Sequence, residues 1–209
     1  MRDLGLLEYR KAHEVQLETH AAVVANERPA TLLLVEHPPV ITFGKKGGRE
    51  HLLVSETHLR SQGFTLYDIE RGGDITYHGP GQLVGYPIFP VGRRVREFLR
   101  KLENVIIAVL EGYGITSVGS PGYAGVWVGN EKVAAIGVAV KRDVSFHGFA
   151  LNVCTELEHF KTIVPCGIVD KGVTSLSRLL DRKIVIDEVK PKVIEEMKQV
   201  FSIKREVVK

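Results

Sequence analysis

The feature that most constrains the fold is a glycine- and proline-rich stretch between residues 71 and 87. The stretch contains five glycines and two prolines, but strand-forming residues such as Ile75 and Tyr77 run through it. A flexible linker lacks such residues, and glycines inside a strand pattern mark bulges or close approaches to the backbone. Arg71 and His78 add a fixed cation and an imidazole that titrates near neutral pH. We interpret the stretch as one wall of a binding site; the alternative is a tight β-turn-β corner without a ligand.

The size and charge of the chain narrow the class of protein. At 209 residues, 44% hydrophobic and 25% charged, the sequence predicts a globular protein, which we interpret as one catalytic domain over residues 1–209. The 28 basic and 25 acidic residues nearly cancel, which argues against nucleic acid as a partner. No apolar run approaches ~18 residues, so no membrane span is predicted. Two cysteines cannot form a disulfide framework, and the start lacks the apolar region of a signal peptide, so we expect a cytoplasmic protein.

Residue periodicity predicts an α+β fold. Helical spacing of apolar residues predicts helices over 9–27, 55–62 and 95–111, and a last helix that Asp187 caps. Strands are predicted at 31–36, 40–43, 64–69, 125–128, 132–140 and 144–153. The Gly129-Asn130 pair between two strands is typical of a hairpin, so the middle of the chain is predicted to be largely antiparallel. We expect a mixed sheet with helices packed on one of its faces.

Cys166 is a candidate nucleophile. Pro165 precedes it and Gly167 follows it, which places the thiol on a constrained turn that a substrate can approach closely. A nucleophilic cysteine reacts as the thiolate, which a nearby cation favours. The alternative is an inert buried cysteine, which is the commoner state of an intracellular thiol.

Lys132 is a candidate partner for that thiol. It follows the Gly129-Asn130 turn and begins a very apolar strand, where burial can lower the pKa of an ammonium group and make it a base. The alternative, which general burial tendencies favour, is an exposed lysine at a hairpin end.

The remaining motifs are weaker. Cys154 lies in a strand-like run and is predicted to pack in the core. Together with His159 and Cys166 it matches no closed zinc pattern, so we expect no metal. The sequence has no Gly-x-Ser-x-Gly elbow, no phosphate-binding loop with Gly-Lys-Ser/Thr, and no Gly-x-Gly-x-x-Gly that opens a helix, which disfavours nucleotide hydrolysis and dinucleotide binding.

Four segments, taken in order, resemble the octanoyltransferases of lipoate biosynthesis. They are the stretch from Arg71 to Gln82, Lys132 followed by Ile136-Gly137, His147 to Asn152, and Pro165 to Ile168. The order and spacing agree over roughly residues 32–179, and four segments in register are far more specific than any one of them. Phe149 departs mildly from the pattern, because the family commonly has leucine there; this change is expected to reshape an acyl pocket without abolishing the chemistry.

The resemblance implies a fold, a reaction and a site. It implies a biotin/lipoate protein ligase fold and transfer of an octanoyl group from acyl carrier protein to a lysine of a lipoyl domain, such as those of 2-oxoacid dehydrogenases, or of the glycine-cleavage H protein. By motif position Cys166 is the acyl-accepting cysteine and Lys132 its acid/base partner, and no cofactor is expected. The substrate-lining positions that the resemblance implies are Arg71, Gly72, Gly73, Asp74, Ile75, Thr76, Tyr77, His78, Ala135, Ile136, Gly137, Gly148, Phe149 and Ala150.

The implied mechanism leads to further expectations about individual residues. The thiolate attacks a thioester, and the target amine then attacks the acyl-enzyme and loses a proton to Lys132. Glycines 72, 73, 137 and 148 are expected to let the acyl chain lie against bare backbone, and His78 to orient donor groups or the oxyanion. One alternative is an ATP-dependent lipoate or biotin ligase on the same scaffold. A second is a non-catalytic module that sequesters acyl chains.

Overall fold

The computed structural model describes residues 1–120, 123–164 and 171–202, with the side chain of Tyr123 left out. The helices are α1 Tyr9–Val24, α2 Glu56–Ser61, α3 Val95–Glu111, α4 Leu176–Leu179 and α5 Ile186–Val200. The strands are β1 Arg2–Leu6, β2 Thr31–Glu36, β3 Val40–Phe43, β4 Thr65–Asp68, β5 Ile75–His78, β6 Gln82–Ile88, β7 Val118–Ser120, β8 Tyr123–Val128, β9 Glu131–Lys141, β10 Val144–Asn152 and β11 Gly172–Val173.

The main sheet has the strand order β1-β2-β6-β10-β9-β8-β7, with β11 paired to β9. The β1–β2 and β11–β9 pairs are parallel and the others are antiparallel. The predicted α+β class with a mixed, largely antiparallel sheet is therefore confirmed. Strands β4, β3 and β5 form a second, smaller sheet.

Helices cover both faces of the main sheet, so the prediction that they pack on one face is wrong. Helices α3 and α5 pack with Leu34, Leu83 and Leu151 in one core cluster. Helix α1 packs on the other face, where Leu33 and Val35 belong to a separate cluster. Adjacent strand residues point to opposite faces, so a strand buried at every position requires cover on both. All nine residues of β10 are buried, as are the first five of β2.

The glycine-rich stretch joins the two sheets. Strand β5 belongs to the small sheet and pairs with β3, whereas β6, only three residues later, lies between β2 and β10 in the main sheet. The side chains of Ile75 and Tyr77 on β5 pack in a third cluster, with α2 and the 3-10 helix Leu157–Thr162. The stretch therefore runs along the junction of two packed bodies, which is where a cavity can form.

Several details differ from the sequence predictions. Asp187 does not cap α5; Val185 is the N-cap residue, and Asp187 lies in the first turn, where its carboxylate accepts a hydrogen bond from Lys190 at 3.1 Å. Cys154 does not pack in the core: it is exposed just beyond the end of β10. Among the described residues, no helix is both long enough and apolar enough to cross a membrane.

Candidate active site

A cavity of about 550 Å³, a volume that includes its open mouth, lies between the glycine-rich stretch and strands β9 and β10. Its volume is in the range of small-molecule sites. Of the predicted site residues that the structure describes, all but one line it. The lining residues are Tyr9, Ile69, Arg71, Gly72, Gly73, Asp74, Ile75, Thr76, His78, Val84, Tyr86, Ala124, Lys132, Ala135, Ile136, Gly137, His147, Gly148, Phe149 and Ala150.

Tyr77 is that exception. It is fully buried, but it does not line the cavity. Its hydroxyl lies 2.8 Å from Nδ1 of His159, and its ring packs edge-on against Phe160. Thr76 and His78, its neighbours in β5, do line the cavity, as the alternation of side chains along a strand requires. Tyr77 thus supports the wall from behind.

The position of Cys166 relative to the cavity stays a prediction. Cys166 lies in residues 165–170, outside the described residues. The described chain on either side of this segment is anchored by backbone hydrogen bonds: the N–H of Val164 donates to the carbonyl of His51 at 2.9 Å, and that of Gly172 donates to Asn130 at 3.2 Å.

Lys132 is buried on the cavity wall, in contrast to the exposed lysine that general tendencies favour. Only 8% of its surface is accessible, and Nζ lies 4.8 Å from the ring centroid of Trp127. Its carbonyl accepts a hydrogen bond from the N–H of Thr174 at 3.0 Å, and it pairs with Val173 of β11. Ring contact and strand pairing hold both ends of this residue, so the amine is presented to the cavity from a rigid strand.

A second, smaller cavity adjoins the first at Lys132. The two cavities share four lining residues, Thr76, Lys132, Ala135 and Ala150. The smaller one extends toward the 3-10 helix and β11, where Phe160 and Val173 line it. Lys132 therefore borders both spaces.

Glycines at the site allow backbone to pack on backbone. A Cβ added to Gly137 would lie 2.9 Å from the carbonyl oxygen of Gly72, and one added to Gly148 would lie 2.1 Å from that of Gly85. Such separations are well inside normal contact distance, so only glycine fits at Gly148. On the side where a Cβ would stand, Gly137 and Gly148 are packed against backbone, and both residues also line the cavity. The expectation that an acyl chain lies against these glycines stays a prediction.

Arg71 holds the loop that closes one side of the cavity. Its guanidinium donates to the carbonyl of Thr42 at 2.9 Å, to the hydroxyl of Thr42 at 3.1 Å and to the carbonyl of Gly72 at 3.2 Å. The N–H of Gly72 in turn donates to the carbonyl of Val138 on β9 at 3.0 Å. These bonds tie β3, the loop and β9 together around a buried cation.

A chain of side-chain hydrogen bonds fixes the protonation of His78. The carbonyl of Thr174 can only accept, so it receives an N–H of Asn152 at 2.9 Å, and the Oδ1 of Asn152 then accepts from Gln82 at 2.8 Å. This leaves Oε1 of Gln82 as an acceptor, 2.7 Å from Nδ1 of His78. The proton of a neutral His78 is therefore on Nδ1, and Nε2 is an acceptor.

Burial keeps His78 neutral. Desolvation lowers the pKa of His78 to about 3, and repulsion from His37 adds to the shift. A neutral ring with Nδ1–H turned to Gln82 has no proton on Nε2 to offer an oxyanion. In this state Nε2 of His78 can accept a hydrogen bond from a substrate group but cannot donate one to an oxyanion; the role of His78 toward the donor stays a prediction.

Sequence reasoning missed two aromatic residues on the cavity wall, Tyr9 and Tyr86. The hydroxyl of Tyr86 lies 2.8 Å from Nε2 of His37, whose Nδ1–H donates to the carbonyl of Leu7 at 2.7 Å. Burial raises the pKa of both tyrosines and lowers that of His37 to about 4. The partners of these rings are far apart in sequence, so no local spacing marks them.

Comparison with known proteins shows which family this chain belongs to. The sequence model of the lipoyl protein ligase A/B catalytic domain matches residues 8–198. The chain belongs to this family. Two relatives, both named octanoyltransferase, are each 48% identical to this chain. The alignment with the protein of Caldicellulosiruptor saccharolyticus covers 96% of this chain and 88% of that relative. The alignment with the protein of Alkaliphilus metalliredigens covers 96% of this chain and 94% of that relative. The octanoyltransferase of Deinococcus radiodurans is 50% identical, with 86% and 56% covered.

Solved structures place this member of the lipoyl protein ligase A/B family among ligases of the same fold. A lipoate-protein ligase A bound with ATP aligns with a TM-score of 0.75 and 14% identity, over 97% of this chain and 84% of that one. The bipartite lipoate protein ligase of Thermoplasma acidophilum aligns with a TM-score of 0.71 and 16% identity, over 98% and 85%. At such low identity the similarity establishes the fold alone, and it confirms the predicted biotin/lipoate ligase-like architecture.

Proposed function

We infer that the protein is an octanoyltransferase of protein lipoylation. The observation that carries this conclusion is its 48% identity to octanoyltransferases over 96% of its length. The protein is thus an acyltransferase that needs an acyl donor and a lipoyl-domain acceptor. The finer assignments are octanoyl-acyl carrier protein as donor, and the lipoyl domains of 2-oxoacid dehydrogenases and the glycine-cleavage H protein as acceptors. We assign all of this to one catalytic domain over residues 1–209.

The acyl chain is assigned to the cavity between the glycine-rich stretch and the paired strands β9 and β10. Apolar residues from four segments, Ile69, Val84, Ile136 and Phe149, line it. Each CH₂ buried there contributes about 0.8 kcal/mol, so a chain of the right length is distinguished from a shorter one by binding energy. The side chain of Phe149, where the family commonly has leucine, packs in the core cluster with α3 and α5.

The first chemical step is assigned to Cys166. Its thiolate attacks the carbonyl carbon of the octanoyl thioester, and the bond from that carbon to the carrier sulfur breaks. The carrier leaves as a thiolate and takes up a proton. One thioester replaces another, so the step is nearly balanced in free energy. Support for this role is the Pro165-Cys166-Gly167-Ile168 segment that the resemblance rests on.

The second step is assigned to the acceptor lysine and Lys132. The acceptor amine attacks the acyl-enzyme carbonyl, an amide bond forms, and Cys166 leaves as a thiolate. The attacking nitrogen must lose a proton, which a neutral Lys132 accepts. The burial of Lys132 on the cavity wall supports this role, as does its position where the two cavities meet.

Transfer without ATP is the test that separates this function from the alternatives. The protein is mixed with octanoyl-acyl carrier protein and an apo lipoyl domain, and octanoylated domain is measured by mass spectrometry. We expect product without ATP, and no product from ATP and free octanoate. Ligation that requires ATP and survives Cys166→Ala would establish a ligase instead. No product under either condition would favour a non-catalytic acyl-binding module.

A further inference from the structure

Three metal-ligating side chains from distant parts of the chain converge beside the cavity. His13 lies on α1, Glu70 just before the glycine-rich stretch, and His147 on β10. Oε2 of Glu70 lies 3.7 Å from Nε2 of His13 and 3.9 Å from Nε2 of His147, and each pair of these ligand atoms is within 4.8 Å.

The two imidazoles are built into this position without a hydrogen-bond partner. Nε2 of His13 and Nε2 of His147 are both buried, and neither has a hydrogen-bond partner in the described part of the chain. His147 itself is 2% exposed. Because a buried polar atom left unpaired costs free energy, two such nitrogens turned toward one carboxylate call for an explanation.

The surrounding contacts hold the three groups in place. The rings of His13 and His147 stack with centroids 5.5 Å apart and planes 12° apart. The backbone N–H of His147 donates to Oε1 of Gln16 at 2.9 Å, and Gln16 lies one turn after His13 on the same helix. Helix α1 and strand β10 are thus fastened together next to the cluster.

From this geometry we propose that His13, Glu70 and His147 bind a late first-row divalent metal ion, with zinc as the best fit. Two imidazole nitrogens and one carboxylate oxygen are an established set of zinc ligands, with the fourth position left to water. Ligand atoms around tetrahedral zinc are about 3.3 Å apart, given bonds of about 2.0–2.1 Å. The separations of 3.7 and 3.9 Å from Glu70 are wider than this, so binding requires rotation of the Glu70 side chain and a shift of the two rings.

The cluster offers a cation one carboxylate and two imidazoles. Arg71, the fixed cation of the neighbouring loop, is already engaged, because its guanidinium donates to Thr42 and Gly72. The side chain of Glu70 is 44% exposed, which gives the ion a path from solvent.

Metal binding would affect the wall of the proposed acyl site. His147 is itself part of the cavity wall. A bound ion would join α1, the loop before β5 and β10 at that wall, so occupancy would stabilise the folded chain without being needed for thioester chemistry.

Zinc titration tests the proposal independently of octanoyl transfer. Thiols also bind zinc, so the full chain carries Cys154→Ser and Cys166→Ser, and zinc affinity is measured by competition with a chromophoric chelator. We expect one zinc per chain and a rise in melting temperature with zinc. Glu70→Gln and His13→Gln should each weaken binding at least tenfold, whereas His58→Gln, on the exposed face of α2, should not.

Two results would overturn the metal site. One is the absence of stoichiometric binding by the thiol-free chain. The other is unchanged affinity in Glu70→Gln, a variant that keeps the shape of the side chain and so is expected to fold. Substitution with cobalt adds a direct readout: the visible absorption of a tetrahedral cobalt complex should appear in the parent chain and be lost in Glu70→Gln.

Discussion

At the scale of single residues, two of the buried polar groups on the cavity wall, His78 and Lys132, have different constraints. His78 is held neutral by burial, and its Nδ1 proton is fixed by a chain that ends at the carbonyl of Thr174. Lys132 lies over the ring of Trp127 and borders both cavities. His78 is suited to accept a hydrogen bond from substrate, and Lys132 is assigned the proton transfer.

Replacement of Lys132 tests that assignment. We expect Lys132→Ala to slow octanoyl transfer by about 10²–10⁴-fold, the usual contribution of a positioned acid or base. Octanoyl transfer to lipoyl domain is measured in single-turnover experiments. The matched control is Lys141→Ala, which removes an exposed lysine from the other end of the same strand and should leave the rate unchanged. A Lys132→Ala rate close to that of the control would contradict the role.

Sequence reasoning at this scale works where a residue carries its own chemistry. Lys132 was singled out from its place at the start of an apolar strand, and it proves to be buried on the cavity wall. The His78 chain could not be found this way, because Gln82 and Asn152 are 70 positions apart and only the pairing of β6 with β10 brings them together. The prediction that Cys154 packs in the core is wrong because its neighbours have the composition of a strand, although β10 ends at Asn152, before Cys154.

At the scale of elements, the site depends on strands and loops whose backbones approach each other more closely than a side chain between them would allow. Gly148 on β10 faces the carbonyl of Gly85 on β6, and Gly137 on β9 faces that of Gly72 in the loop. The glycines of the motifs thus set the spacing of the walls. Gly137 and Gly148 also line the cavity themselves.

An alanine at Gly148 tests this use of glycine. The added methyl would lie 2.1 Å from the carbonyl of Gly85, and β6 and β10 must separate to admit it. We expect a loss of about 1–3 kcal/mol in the free energy of unfolding, as for overpacked cores, together with weaker acyl transfer. Urea unfolding of the variant measures the first effect.

Gly112→Ala is the control for that substitution. Gly112 follows α3 with a helical φ of −63°, and its added Cβ would meet nothing closer than 3.3 Å. We expect a change within about 1 kcal/mol there. Equal stability of the two variants would show that the β6–β10 contact can relax, contrary to the account.

The element boundaries show which sequence signals are dependable. The apolar stripe of α3 predicted 95–111, and the helix spans Val95–Glu111. Strand β1 was not predicted, because it is an edge strand whose residues are mostly exposed and carry no alternation. The cover on both faces could have been inferred from the continuous apolar run Leu32–Val35, since a half-exposed strand alternates.

At the scale of the whole molecule, buried histidines couple folding to pH. Burial lowers the pKa of His37 to about 4 and that of His78 to about 3, against about 6.5 in an unfolded chain. At a pH between the folded and unfolded pKa values, the unfolded chain binds protons that the folded chain does not. The free energy of unfolding therefore rises with pH over this range.

The expected result is a steep loss of stability in mild acid. As pH falls from about 6.5 toward 4, each of the two histidines should lower the unfolding free energy by up to about 1.4 kcal/mol per pH unit. Urea unfolding at a series of pH values measures the slope. The variant His78→Gln should show a shallower slope than the parent, and His58→Gln, which alters an exposed histidine, should not. A parent whose stability does not change over this range would contradict the burial of these rings in a neutral form.

The global architecture follows from the sequence only in part. Local patterns gave the α+β class and the antiparallel middle, and the resemblance implied the fold that the structural neighbours confirm. The resemblance implied that the loop before β5 and strand β10 meet at the site, but the addition of Tyr9 from α1 to the cavity was not predicted. Residues as distant as His13 and His147 meet only because α1 covers the face of the sheet that was expected to be bare.

The central claim is that an octanoyl group passes through a covalent bond to Cys166. Intact-mass spectrometry of the protein mixed with octanoyl-acyl carrier protein tests it most directly, with Cys154→Ser as the matched control and Cys166→Ser as the probe. The account predicts one octanoyl adduct per chain, mapped to Cys166, removed by hydroxylamine, kept in Cys154→Ser and absent in Cys166→Ser. Product formation without any adduct, or an adduct that persists in Cys166→Ser, would contradict it.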